Sequence, residues 1–144
     1  MKADAISLLV LDASITLSWC FPDELSDYAQ GILDMLGDGT GALVPAIWPF
    51  EIANGLLAGE RRKRLSIAQV TSVLERIGDL PISVEPVHTD LAFVQVLAVA
   101  RQQQLSEYDT AYLELALRQA LPLATLDERL RRAARNAGVT LVTK

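Results

Sequence analysis

Leu8-Leu9-Val10-Leu11-Asp12-Ala13-Ser14 is an apolar run of strand length that ends on a carboxylate. A strand that is apolar at every position is buried on both faces, as in a parallel sheet covered by helices. The pattern recurs: residues 42–44 (before Pro45), 82–84, 121–124 and 139–142 read as further strands. Helical segments lie between them. Residues 25–36 stop at Gly37 and Gly39, 47–62 tolerate Pro49 in a first turn, and 67–77 end at Gly78. Residues 91–103, 108–119 and 128–136 follow, the last stopped by Gly138. Strands alternating with helices predict an α/β fold, a three-layer α/β/α arrangement around a central parallel sheet of about five strands. In such sheets ligands sit beyond the carboxyl ends of the strands. Chemistry is therefore expected where strands hand over to helices.

The 144 residues carry no linker, low-complexity stretch or internal repeat, and one domain over 1–144 is expected. An apolar fraction of 51% supplies a core. The single cysteine, Cys20, permits no internal disulfide and fits a reducing compartment. The apolar residues 6–11, with Asp4 before them, are too short for a signal segment or a membrane span. A cytoplasmic protein without membrane contact is expected. The net charge of -5 argues against gripping nucleic acid through bulk positive charge, although two divalent cations would bring it to -1. The basic residues fall into two runs, Arg61-Arg62-Lys63-Arg64 and Arg129, Arg131, Arg132 and Arg135. Each reads either as a solvated helix end or as a phosphate contact.

Four carboxylates stand where an isolated acid is costly: Asp12, Glu51, Asp109 and Asp127. Asp12 closes the first strand; it could cap the segment at 15–21, but Ser14 serves equally well. At helical period, residues 47–59 form one apolar stripe (Trp48, Ile52, Leu56, Gly59) and another (Phe50, Ala53, Leu57). Only Glu51 and Asn54 make a polar line between them, so Glu51 is expected to face a polar cavity on a largely buried helix. Asp109 fits the capping-box spacing after Ser106 and also heads the face carrying Tyr112, Leu113 and Ala116. Asp127, after residues 121–124 and Thr125-Leu126, is an N-cap or a ligand for which Thr125 supplies an orienting hydroxyl. Convergence of the four would make a cage for hard divalent cations, the chemistry of phosphodiester hydrolysis. The only histidine, His88, has no partner for a zinc set and reads as surface or loop. Trp19 and Phe21 read as core aromatics before base-stacking ones.

Val10-Leu11-Asp12-Ala13-Ser14 resembles the opening of a PIN domain. Trp48-Pro49-Phe50-Glu51-Ile52-Ala53-Asn54, Ser106-Glu107-Tyr108-Asp109-Thr110-Ala111-Tyr112 and Thr125-Leu126-Asp127 resemble its later blocks. Their order and the chain's size are similar to VapC-like toxins of type II toxin–antitoxin modules. The resemblance implies a Mg²⁺- or Mn²⁺-dependent endoribonuclease acting on RNA, a homodimer silenced by a cognate antitoxin. By position it implies Asp12, Glu51, Asp109 and Asp127 as the acidic quartet. It places Ser14 and Thr125 as hydroxyls beside them and Asn54 as a neighbour, with Glu128 as an alternative or supplement to Asp127. An antitoxin helix is expected in a groove between residues 25–36 and 47–62, touching Ile32, Met35 and Leu56. The rivals are a non-catalytic module of the same fold, a metal-dependent DNase, and a phosphatase or phospho-receiver using Asp12. The phosphatase lacks an acid at Ser14, and the receiver lacks a late lysine other than the terminal Lys144.

Overall fold

A computed structural model describes residues 5–143; Asp4 and Lys144 lie outside the described residues. Strand β1 (Leu8–Leu11) pairs in parallel with β2 (Gly41–Val44) on one side and β4 (Leu123–Ala124) on the other. Strand β3 (Ile82–Val84) adds in parallel to β2, giving the order β3-β2-β1-β4. Leu9, Val10 and Leu11 are all fully buried, so β1 is covered on both faces as its unbroken apolar run predicts.

Four strands form among the described residues, not about five. The expected strand at 139–142 is reduced to one parallel bridge between Leu141 and Leu123. The cause lies along the outer edge of β4, where the groups on either side of Leu123 are already engaged: Leu121 N–H donates to Ala116 O (3.0 Å) and Thr125 O accepts from Arg131 Nη1 (2.9 Å). So short a strand offers its outer neighbour one donor and one acceptor. Leu123 N–H donates to Thr140 O (2.9 Å) and Val142 N–H donates to Leu123 O (2.9 Å).

Helix α1 (Ala13–Cys20) leaves β1 directly, and α2 (Asp27–Gly37) starts on a Ser26 cap. Helix α3 (Trp48–Arg61) holds Pro49 in its first turn, and α4 (Ile67–Gly78) starts on a complete capping box between Ser66 and Gln69. Residues Leu91–Val96 are wound with wider, π-type turns ahead of α5 (Leu97–Gln103). Helix α6 (Glu107–Gln119) precedes β4, and α7 (Glu128–Ala137) follows it and ends on Gly138 at φ 81°. Among the described residues no helix is long and apolar enough to cross a membrane.

Helix α3 is less buried than its composition predicts. The stripe Trp48, Ile52, Leu56 and Gly59 enters the core, but Phe50 is 72% exposed, Leu57 41%, and Ala53 exposed with them. The buried stripe is held close to α1: a Cβ at Gly55 would stand 2.6 Å from Leu17 Cδ2, and one at Gly59 2.7 Å from Phe21 Cε1. A side chain at either position would have to push Leu17 or the Phe21 ring aside, so the two glycines let the Glu51 helix lie close against the helix that begins beside Asp12. Ile32 and Leu56 are core residues, so the expected groove against α2 is not an open surface there. The apolar groove that does flank α3 lies toward α4, lined by Ala53, Leu57, Val70, Leu74 and Ile77.

Candidate metal and active site

Asp12 sits where β1 ends, at the N-cap position of α1, yet its side chain makes no capping bond. It is 5% exposed. Ser14 Oγ donates to its Oδ2 at 2.6 Å, and Thr125 Oγ1 donates to the same oxygen at 2.7 Å. Each hydroxyl also accepts a backbone N–H, Ser14 from Leu126 (3.0 Å) and Thr125 from Asp127 (3.0 Å). With an amide proton occupying each oxygen, the hydroxyl protons are turned toward the carboxylate. Thr125 reaches Asp12 because β1 and β4 are neighbours in register, Leu11 opposite Ala124. The network thus ties together the carboxyl ends of two adjacent parallel strands, where a parallel sheet places its chemistry.

The other acids come from three helix starts. Glu51, in the first turn of α3, is half-buried and accepts a short hydrogen bond from the Tyr112 hydroxyl at Oε1. Asp109, also half-buried, receives half of a capping box: its N–H donates to Ser106 Oγ (3.1 Å), and among the described residues only Ser66 and Gln69 make both halves. Asp127 is a true N-cap, its Oδ1 accepting from Arg129 N–H (2.8 Å) and Leu130 N–H (3.1 Å). Asp127 is therefore both things its sequence position offers, a cap through one oxygen and a neighbour of Asp109 through its charge. Glu128 is exposed in the first turn of α7 and Asn54 is exposed on α3, each outside the hydrogen-bond network of the acids.

The charges of these groups are coupled. Burial pushes the Asp12 carboxyl above its ordinary range; the two hydroxyls pull it back, and the charges of Asp109 and Asp127 push it further up. Glu51 is raised by burial, tempered by Tyr112, and raised again by Asp12 and Asp109. Asp109 is raised by burial and by Asp127, and eased by Ser106 and Arg129. Each of these three carboxylates thus resists ionisation in the folded chain, the signature of a site short of positive charge. Among the described residues none of the four acids forms a salt bridge; the bridging arginines are Arg64 and Arg118, engaged elsewhere.

The donor set suits Mg²⁺ or Mn²⁺, which take oxygen ligands. Nothing in it suits zinc. His88 is exposed, and Cys20 lies in the core, its thiol pushed up to about 11 by burial. The grouping is not a closed cage: among the described residues no three acids, histidines or cysteines already stand around one point in ligating geometry. The chemistry of the residues fits the cation, while among the described residues their spacing is not that of a formed ligand set.

The family model for the PIN domain matches residues 9–136. The chain belongs to the PIN domain family. PIN domains are metal-dependent nucleases that generally use Mg²⁺ or Mn²⁺. Among solved structures this PIN domain is similar to the crystal structure of PAE2754 from Pyrobaculum aerophilum. The TM-score is 0.67 and the identity 21%, over 91% of this chain and 87% of that one. At that identity the likeness speaks for the α/β fold alone. No curated protein matches the chain.

Tyr112 shares the Asp109 face of α6, and the sequence assigns its hydroxyl no task. The tyrosine is fully buried, and its hydroxyl, raised far above its ordinary range chiefly by burial and by the Glu51 bond, remains a donor to Glu51. Its signal was the three-residue step from Asp109, which puts a buried hydroxyl beside a candidate ligand. Trp19 and Phe21 are structural, Trp19 Nε1 donating to Ala29 O (2.8 Å) and Phe21 buried beneath Arg64. The Arg61–Arg64 run is a helix end: Arg64 bonds Asp23 (2.9 Å) and Glu24 (2.8 Å) and covers the Phe21 ring at 4.3 Å. Arg61 ends α3 roughly 15 Å along the axis from Glu51 at 1.5 Å per residue.

Proposed function

We propose that this PIN domain is a Mg²⁺- or Mn²⁺-dependent endoribonuclease, the toxin of a type II toxin–antitoxin module. The observation that carries the nuclease half is the set Asp12, Glu51, Asp109 and Asp127 near the strand ends, their charges acting on one another and none of them held in a salt bridge among the described residues. The RNA and toxin half is supported by the order and wording of the four sequence blocks, which resemble VapC-like toxins over nearly the whole chain.

In this reading Asp12, Asp109 and Asp127 hold the cation. Asp12 Oδ2 is held still by Ser14 and Thr125, so its carboxylate is aimed before any ligand arrives. Tyr112 does the same for Glu51 Oε1, leaving the other oxygen to orient a ligand or the attacking water. Asp127 gives Oδ1 to its own helix and keeps Oδ2 for the site. A bound divalent cation supplies Lewis-acid stabilisation of the charge that develops on the phosphodiester oxygens. Ser14 and Thr125 hold the Asp12 carboxylate in place, and its burial limits water around it, which strengthens the charge interactions there.

The same proposal includes a second copy of the chain and a cognate antitoxin as partners. Exposed apolar surface supports both. Phe50, Val87 and Tyr108 rim an apolar cavity of about 280 Å³, and the α3–α4 groove has the form that receives an amphipathic helix. The deciding experiment is cleavage of single-stranded RNA with Mn²⁺, with EDTA, and with Asp12→Asn. Cleavage that needs Mn²⁺ and the Asp12 carboxylate supports the reading; cleavage of DNA but not RNA replaces the substrate; cleavage in EDTA overturns it. For the toxin role, growth arrest on expression should be relieved by a small DNA-binding protein encoded beside the gene, and relief by no neighbour counts against it.

A further inference from the structure

A second polar feature adjoins the acidic centre and is opposite to it in charge. A groove of about 240 Å³ runs between the end of α5 and one face of α7, lined by Gln103, Gln104, Leu105, Arg129, Arg132 and Asn136. The steps of three and four residues put Arg129, Arg132 and Asn136 on one side of α7. No carboxylate lines the groove, although acids outnumber bases 18 to 13 in the chain. Among the described residues Arg129 and Arg132 make no salt bridge, in contrast to Arg64 with Asp23 and Glu24 and to Arg118 with Glu85 and Glu114. Arg131, between them, is committed to the fold: its Nη1 donates to Thr125 O (2.9 Å) and its guanidinium lies 5.4 Å from the Tyr28 ring centre.

Both walls lead into the acidic centre. The α5 end turns at Gln104 (φ 56°) and passes through Ser106 to Asp109, while α7 begins at Asp127. Arg129 lies near enough to Asp109 for its charge to act on that carboxylate. Free guanidinium groups are the side chains that meet phosphate with paired hydrogen bonds, and carboxamides offer both donors and acceptors to a sugar or base edge.

We propose that this groove is the subsite for the RNA strand next to the scissile phosphate, with Arg129 and Arg132 on flanking phosphates and Gln103, Gln104 and Asn136 on the nucleotide between them. The assignment rests on the nuclease reading and locates substrate binding on α7, not on the Arg61–Arg64 helix end. A strand laid in the groove has its backbone led to the acids from a positive channel, which offsets the repulsion an overall acidic protein exerts on RNA.

The test is fluorescence anisotropy of a labelled single-stranded RNA in EDTA over a salt series, comparing wild type, Arg129→Ala/Arg132→Ala and Arg61→Ala/Arg62→Ala, with melting temperature as the folding control. Arg132→Ala alone, which leaves the neighbour of Asp109 in place, is added with a Mn²⁺ titration. The α7 double variant should bind at least tenfold more weakly, with the slope of log K against log salt lowered by about 0.7 for each phosphate no longer neutralised. The α3 double variant should keep the wild-type slope, and Arg132→Ala should weaken RNA while binding Mn²⁺ as wild type does. An unchanged slope in the α7 variant, or no RNA binding by wild type, overturns the subsite. Wild type that cleaves RNA with an unaltered α7 variant leaves the nuclease reading standing without it. RNA binding that depends on α7, with no Mn²⁺-dependent cleavage, leaves the subsite and removes the nuclease.

Discussion

Helix α6 carries carboxylates to two clusters that are treated in opposite ways. Glu114, 5% exposed, meets Arg118 at 2.9 Å, and Arg118 reaches on to Glu85 at 2.6 Å. The arginine is held charged by both hydrogen bonds, so the acids there are neutralised by the protein itself. One and a half turns earlier, Asp109 joins Asp12, Glu51 and Asp127, where among the described residues no salt bridge completes the set and Arg129 only eases Asp109. Buried carboxylates with a built-in partner belong to the architecture. Carboxylates left without one are costly to the fold, and a fold retains such a cost where a ligand supplies the missing charge.

Substitutions in the two clusters should accordingly move stability in opposite directions. The largest effect is expected at Asp12. Asp12→Asn should lower Mn²⁺-dependent cleavage at least a hundredfold, since a transition-state term of several kcal/mol rests on the cation. It should also raise the melting temperature of the metal-free protein by a few degrees, about 1 kcal/mol of relieved charge burial. Arg118→Met should do the reverse. Two acids lose their cation, stability falls by about 2 kcal/mol after allowance for partial exposure, and cleavage per folded molecule stays near wild type. A destabilised Asp12→Asn, or an Arg118→Met protein that melts like wild type, breaks the contrast.

A smaller effect is expected at Tyr112. Tyr112→Phe keeps the buried ring and removes only the hydroxyl that holds Glu51. Turnover should fall about tenfold with KM and melting temperature little changed, the pattern of a missing positioning group. If KM rises and turnover holds, Tyr112 serves binding instead.

The smallest effect is the pH response of the metal-free fold. Asp12, Glu51 and Asp109 all have folded-state pKa values raised above those of the unfolded chain, so the folded form holds protons that the unfolded form releases. Their contribution is therefore fully present below the ordinary carboxylate range of 3.8 to 4.5 and is lost as pH rises through the folded values. Metal-free protein should melt at a higher temperature near pH 5 than near pH 7. Saturating Mn²⁺ should flatten or reverse that trend, and a metal-free fold that gains stability toward pH 7 contradicts it.

The nearness of the candidate acids could be read from sequence because an acid just past an apolar strand has few structural excuses. Asp12 and Asp127 stand at the ends of β1 and β4, which are neighbours in the sheet, and a parallel sheet brings such ends together. Tyr112 was readable only as a neighbour of Asp109 on α6: a tyrosine among Leu113, Leu115 and Ala116 looks like core, and only the tertiary approach of α3 gives its hydroxyl the partner Glu51. The fifth strand failed for a tertiary reason: Leu121 N–H caps α6 and Thr125 O is taken by Arg131, which leaves only Leu123 for residues 139–142 to pair with. On α3, periodicity marked two apolar stripes and could not say that the one carrying Phe50 stays outside. The two arginine runs look alike in sequence and separate only in three dimensions, where Arg64 finds acids and Arg132 does not.

The most direct measurement is a Mn²⁺ titration of wild type, Asp12→Asn and Arg118→Met, followed by calorimetry or by the Mn²⁺ spin-resonance signal. Wild type and Arg118→Met should bind saturably, with a rise in melting temperature of roughly 5 to 10 °C at a hundredfold excess over Kd, while Asp12→Asn should lose both. Equal binding by all three proteins, or none by wild type, would show that the four acids at the strand ends do not hold a cation.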